Sequence, residues 1–308
     1  MQHQCVTGQG EGPHLLITGG VHGDEFEPIA AIRRLVNLVS DESSLSFVGK
    51  LTFVPIVNES AFLRGHRCGD DGLDLARTCP GRIDGSVTER TAHILSQLIR
   101  SCDYYIDLHT GGTTLNVFPL AGYMLHPNRQ ILDQQRQMAT AFNLPVVWGT
   151  SAAHHGRSLS VARDAGIPAI YCEHGGSGVC TDEGVTAYVD GCLNVMRLIG
   201  MMSGEAPDHE VRYVVEDDGD GSGHMQVCHP SPVDGYFQSA VTIGDSIEKG
   251  SLLGTVTELA TGNPHDVKAE HTGIVIVLRT FPGVRANDSL GVVLDLSLAV
   301  SQQPGESI

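Results

Sequence analysis

Three short apolar runs in this chain each stop at a side chain that can bind a metal or move a proton, and each is followed by glycines. Residues 15–18 lead through Gly19 and Gly20 to His22 and Glu25. Residues 104–108 lead to His109, with Gly111 and Gly112 beyond it. Residues 169–172 lead to Glu173, with Gly175 and Gly176 beyond it. Runs of this length are predicted as buried strands. In an open α/β sheet the carboxyl ends of strands surround the binding crevice, so the pattern predicts that the three ends meet there. Two imidazoles and a carboxylate make a three-ligand set for a divalent metal, with a coordination position left for water. The arrangement points to a hydrolytic enzyme.

The segments between these runs have a helical period. Residues 28–39 place Ile29, Ile32, Leu35, Val36 and Val39 on one face. Further helices are predicted at 88–99, 128–142 and 184–201, and further strands at 51–57 and 146–148, with the strand before Glu173 spanning 168–172. Strands alternating with helices indicate an α/β domain with a parallel or mixed sheet. The polar, glycine-rich run 216–223 suggests a domain boundary near 203–223. Beyond it the helical period is lost. A repeat of about 37–38 residues relates 234–256 to 272–293. The repeat resembles the two halves of a biotinyl or lipoyl domain, yet the hairpin 258–265 lacks the acceptor lysine, and Lys268 comes too late. A structural or pocket-covering role is expected for this part.

Composition excludes several functions. Of 308 residues, 19 are Lys or Arg and 36 are Asp or Glu, so the formal charge is −17 and neither nucleic acid nor an anionic membrane is an expected partner. The eight cysteines include no CxxC pair, which argues against a thiolate metal site. No signal-like segment is evident, and the chain reads as cytoplasmic with reduced thiols. Against this acidic background, Arg64, Arg67 and Arg77 lie close together and suggest an anion site, with a solvated loop carrying surface ion pairs as the alternative. His154 and His155 read as an exposed polar loop, with a substrate contact or a pair supporting the site as the alternative.

The motifs GGVHGDE, NESAFLRGHR, DGLDLARTCPG, DLHTGG and IYCEHGG together resemble the succinylglutamate desuccinylase/aspartoacylase family, relatives of the zinc carboxypeptidases. The resemblance spans roughly residues 10–200 and extends to the β-rich tail. It implies a zinc-carboxypeptidase-like mixed sheet flanked by helices over residues 1–205. A C-terminal all-β barrel-sandwich-like domain would follow over 206–308. It further implies one zinc ion per chain, held by His22, Glu25 and His109. Glu173 would be the general base, and Arg67 would polarise the scissile carbonyl. Arg77 would hold a substrate carboxylate, with Arg64, Asp74 and Arg163 completing the substrate-binding set. The expected activity is hydrolysis of the amide bond of a small N-acyl amino acid or related N-acyl amine.

The chain departs from the family where Asp-Leu-Asn-Arg is replaced by Asp74-Leu75-Ala76-Arg77, which removes an amide expected near the substrate carboxylate. Cys79 stands where an aromatic residue is common, which suggests a wider pocket. The first alternative activity is a metallocarboxypeptidase acting on short peptides, since the same ligands and base would serve it. A non-haem iron oxygenase shares the two-His, one-carboxylate set, but such sites usually lie in all-β barrels. A non-enzymatic binding module on the tail would leave the metal set unused. Apolar positions of the last helix are compatible with a homo-oligomer.

Overall fold

The computed structural model describes residues 1–40, 45–205, 207–219, 221–225 and 228–299. The chain begins with β1 (Gln4–Thr7), β2 (His14–Thr18), α1 (Phe26–Ser40), β3 (Lys50–Val54), α2 (Glu59–Arg64), a 3-10 turn at Leu75–Arg77 and α3 (Val87–Ile99). It continues with β4 (Tyr104–His109), β5 (Leu115–Met124), α4 (Arg129–Phe142), β6 (Val146–Thr150), α5 (Ser158–Ala165), β7 (Ala169–Gly176), α6 (Asp182–Leu198) and β8 (Tyr213–Glu216). Among the described residues, only strands and one short 3-10 turn follow: β9 (Gly235–Ser239), β10 (Ser246–Ile247), β11 (Leu252–Glu258), β12 (Pro264–Lys268), β13 (Gly273–Arg279), β14 (Gly283–Val284) and β15 (Gly291–Asp295).

The main sheet is mixed. β3, β2, β4 and β7 run parallel in that order. Antiparallel β1 covers the β3 edge, and antiparallel β5 pairs with the other side of β7. Strands of this parallel block are buried on both faces, so their sequences are continuously apolar rather than alternating. In β2, Leu15 and Ile17 face one core while Leu16 faces the other. The first core is closed by α1, α4 and α6, and the second by α3 and α5. Helix α1 contributes Ile32, Leu35, Val36 and Val39 to the first core. Each such side chain contributes about 1.5–3 kcal/mol when fully buried, as an upper estimate.

Local signals set the helix ends. Ser86 caps α3 and forms a reciprocal capping box with Glu89. Asn128, expected inside its helix, is the cap of α4, its side chain accepting from the Gln130 amide. Thr181 caps α6 through the Gly184 amide, and also donates from its own amide to Glu27 of α1 at 2.9 Å.

The strands beyond residue 205 divide between two sheets. β8 pairs in parallel with β6, and β13 runs antiparallel to β5 with Val277 opposite Val117. The main sheet therefore continues across the region where a boundary was expected. β9, β11, β12 and β14 form a separate four-stranded sheet. It packs through Phe237, Leu253 and Val256 on Val275, Leu278 and Val293 of β13 and β15. A bulge between Val275 and Val277 lets Ile276 and Val277 both face the second core. The hairpin expected near 258–265 joins β11 to β12. Asp220, within the polar run, and residues 300–308, at the end of the expected β-rich part, lie outside the described residues. No helix among the described residues is long and apolar enough to cross a membrane.

Candidate active site

The topology brings the three strand ends together. β4 and β7 are parallel neighbours, and their register sets His109 beside Glu173. Glu173 lies inside β7 rather than after it, because β5 extends the pairing: Leu120 is opposite Glu173 and Asn116 is opposite Gly176. From β2 the chain turns through Gly19 and Gly20, placing His22 and Glu25 before the first turn of α1. Gly23 is obligatory in this turn, because a Cβ there would meet the Ala61 carbonyl carbon at 1.9 Å.

His22, Glu25 and His109 converge. Each offers a ligand atom, and these atoms lie within 4.8 Å of one another. Nδ1 of His22 is 2.7 Å from Glu25 Oε1, and Nδ1 of His109 is 3.0 Å from Glu25 Oε2. Burial pushes the Glu25 carboxyl up, but the two imidazoles outweigh it and hold the group down at about 2. Burial also disfavours imidazolium at His109, yet Asp107 and Glu25 raise its pKa well above the ordinary value. These surroundings favour positive charge between the rings, so the donor set fits a divalent cation in both ligand chemistry and field.

Each imidazole turns its other nitrogen to a second carboxylate. His22 Nε2 is 3.2 Å from Asp74 Oδ1, and His109 Nε2 is 3.2 Å from Asp107 Oδ2. Arg67 donates to Asp74 Oδ2 from Nε and Nη2 at 3.0 and 2.9 Å, which leaves Nη1 3.4 Å from His22 Nδ1. Asp74 also caps the 3-10 turn by accepting from the Ala76 amide at 2.9 Å.

Glu173 is buried, and its Oε2 has no hydrogen-bond partner among the described residues. Burial raises its pKa, His109 opposes and Glu25 adds to the rise, leaving it at about 8. A carboxyl poised near neutrality in a cavity is suited to taking and returning a proton.

The cavity has a volume of about 290 Å³ and is lined by His22, Glu25, Arg67, Arg77, His109 and Glu173. Ala76 also lines it, presenting a methyl group. Met225 and Val277 close it from the part of the chain beyond residue 205.

Several expected positions are corrected. Arg163 does not line the cavity. It donates to the carbonyls of Ala152 and His154, and its Nε pairs with Asp164 at 2.8 Å. Arg157 lines the cavity instead, donating to the Gly223 carbonyl at 3.1 Å. Burial and the nearby Arg77 guanidinium pull the Arg157 pKa down to about 10. Arg64 is not a lining residue either, and contacts the Gly69 carbonyl at 3.2 Å and Asp70 at 3.7 Å. Asp74 reaches the site through Arg67 and His22 rather than as a wall of the cavity. Cys79 packs in the second core and does not line the cavity. His154 is buried rather than exposed, with Nε2 on the Ser222 carbonyl and its ring edge-on to His224 at 4.2 Å. All eight cysteines are free.

Residues 11–199 match the succinylglutamate desuccinylase/aspartoacylase catalytic domain. The chain is 30% identical over 299 residues to the N-alpha-acetyl-L-2,4-diaminobutyric acid deacetylase of Halomonas elongata, covering 94% of this chain and 84% of the relative. A succinylglutamate desuccinylase from Silicibacter sp. TM1040 superposes with a TM-score of 0.84 at 26% identity, over 94% of this chain and 87% of that one. The product-bound ectoine utilization protein EutE (DoeB) of Ruegeria pomeroyi superposes with a TM-score of 0.81 at 28% identity, over 94% and 88% of the two chains. The chain belongs to the succinylglutamate desuccinylase/aspartoacylase family.

Proposed function

We propose that the protein is a zinc-dependent deacylase that hydrolyses the amide bond of a small N-acyl amino acid. The observation that carries this reading is Glu173. It is a buried carboxyl with a pKa of about 8, in one cavity with a three-ligand set and three arginines. His22, Glu25 and His109 would hold the ion. Zinc, when bound there, supplies a Lewis acid for the amide carbonyl and makes water acidic enough to attack near neutral pH.

The remaining roles belong to the chain itself. Glu173 accepts the proton of the attacking water and returns it to the leaving amine. Arg67, held by Asp74 with one N–H group left at the edge of His22, donates to the developing oxyanion. Arg77 and Arg157 place two guanidinium groups in the cavity for the substrate carboxylate. This pair serves where Ala76 offers no amide. A cavity of about 290 Å³ lies at the lower end of the ligand-pocket range, which suits an acylated amino acid better than a peptide. The name of the Halomonas elongata relative supports acetyl as the acyl group. We read the four-stranded sheet with β13 and β15 as a barrel-sandwich-like unit that walls the pocket.

The test is a panel of N-acetyl and N-succinyl amino acids run beside dipeptides on zinc-loaded protein. Release of free amino acid from the acylated compounds, with dipeptides untouched, is the expected result. Dipeptide turnover without deacylation would replace this reading with a carboxypeptidase.

A further inference from the structure

We propose that Asp107 is a positioning residue for His109, and that Thr18 and Ser158 hold it in that role. The inference rests on the metal reading of His22, Glu25 and His109. Asp107 has no exposed surface. A carboxylate buried so completely persists only where donors surround it. Its Oδ1 accepts from Thr18 Oγ1 at 2.6 Å, and its Oδ2 accepts from Ser158 Oγ. Thr18 has one hydroxyl proton, and it is committed to Asp107. The Tyr105 hydroxyl, 2.8 Å from Thr18 Oγ1, must therefore donate to Thr18. The hydroxyl protons of Tyr105, Thr18 and Ser158 are thus all directed toward Asp107.

The position left on Asp107 faces His109, whose Nε2 is 3.2 Å from Oδ2. An anion whose other contacts are all donors assigns a proton to that nitrogen. The lone pair of His109 is then on Nδ1, which points at Glu25 Oε2 from 3.0 Å. Ligating histidines depend on such an outer partner to fix tautomer and ring orientation. The Tyr188 hydroxyl donates to the His109 carbonyl and fixes the backbone of the same residue. Ser158 adds a second consequence. It opens α5, and Arg157 immediately before it lines the cavity. One carboxylate thus ties the metal ligand to the segment that carries a substrate guanidinium.

The experiment is zinc affinity of metal-free protein, measured by competition with a chromophoric chelator, for wild type, Asp107→Asn, Thr18→Val and Ser158→Ala. Thermal melts of the metal-free proteins report the fold. Asp107→Asn places an NH2 among groups that all donate, and is expected to weaken zinc about 10–100-fold. Thr18→Val and Ser158→Ala are each expected to weaken it by a smaller factor, and Ser158→Ala also to raise KM. If Asp107→Asn fails to fold, the other two variants carry the test, and zinc affinity within about twofold of wild type in both would overturn the proposal. Folded Asp107→Asn with wild-type affinity would overturn it alone. Wild-type protein that takes up no zinc would overturn the metal reading and this proposal with it.

Discussion

Asp74 joins Arg67 to His22: one carboxylate oxygen takes two N–H groups of the guanidinium at 3.0 and 2.9 Å, and the other lies 3.2 Å from His22 Nε2. On the proposed reading, the residue that aims the oxyanion donor also orients a metal ligand. Asp74→Asn is predicted to weaken zinc binding about 10–100-fold and to lower kcat in zinc-saturated protein. Zinc titration with steady-state kinetics at saturating metal checks both, and a variant unchanged in both would contradict the arrangement.

Arg157 and Arg64 separate a cavity arginine from a surface one. Arg157→Ala removes a guanidinium from the cavity wall and is predicted to raise KM for an N-acyl amino acid at least about 10-fold, the scale of one charged hydrogen bond. Arg64→Ala should leave kcat/KM within about twofold, since its exposed guanidinium contacts the Gly69 carbonyl and an exposed carboxylate outside the cavity. Reversal of the two effects would move the substrate site.

Glu173 makes a prediction on both rate and stability. Glu173→Gln should lower kcat about 100-fold or more while zinc content stays at the wild-type level. In the metal-free protein its pKa rises from 4.5 to about 8, so the fold favours the protonated form. That contribution to stability is complete below pH 4.5, declines as pH rises, and is lost once pH passes about 8. Metal-free Glu173→Gln keeps a neutral group throughout, so it should melt higher than wild type at pH 9 by at least about 2 °C. The gap should shrink toward pH 4.5. Equal melting at every pH would contradict the assignment.

Gly23 holds the ligand turn against α2. An added methyl would press on the Ala61 carbonyl, with its oxygen at 2.1 Å, and backbone cannot swing aside as a side chain can. Gly23→Ala is predicted to cost about 1–3 kcal/mol in denaturant unfolding and to weaken zinc binding. Stability equal to wild type would show that the turn can shift freely.

The sequence reading worked where a signal is local. The apolar runs ending at His22, His109 and Glu173 are short strands followed by glycines, and the strand register brings them together. Long-range pairing was not legible. β5 is interrupted by Pro119 and Gly122, which obscure a strand, and becomes central because β7 and β13 sit on either side of it. β8 and β13 join the main sheet from beyond the expected boundary for the same reason. The phase of α5 relative to the cavity was not legible either. Arg157 precedes the first turn and lines the cavity, whereas Arg163 lies near the other end, about 9 Å further along the axis. His154 is buried by Ser222 and His224, partners that local sequence does not reveal.

The central claim is that His22, Glu25 and His109 hold one catalytic zinc. The direct measurement is metal content by elemental analysis on wild type, His22→Ala and His109→Ala, with N-acetyl amino acid hydrolysis followed through chelation and zinc return. The account predicts one zinc per wild-type chain, little or none in either variant, and activity that chelation abolishes and zinc restores. Full activity in metal-free protein, or equimolar zinc retained by both variants, would contradict it.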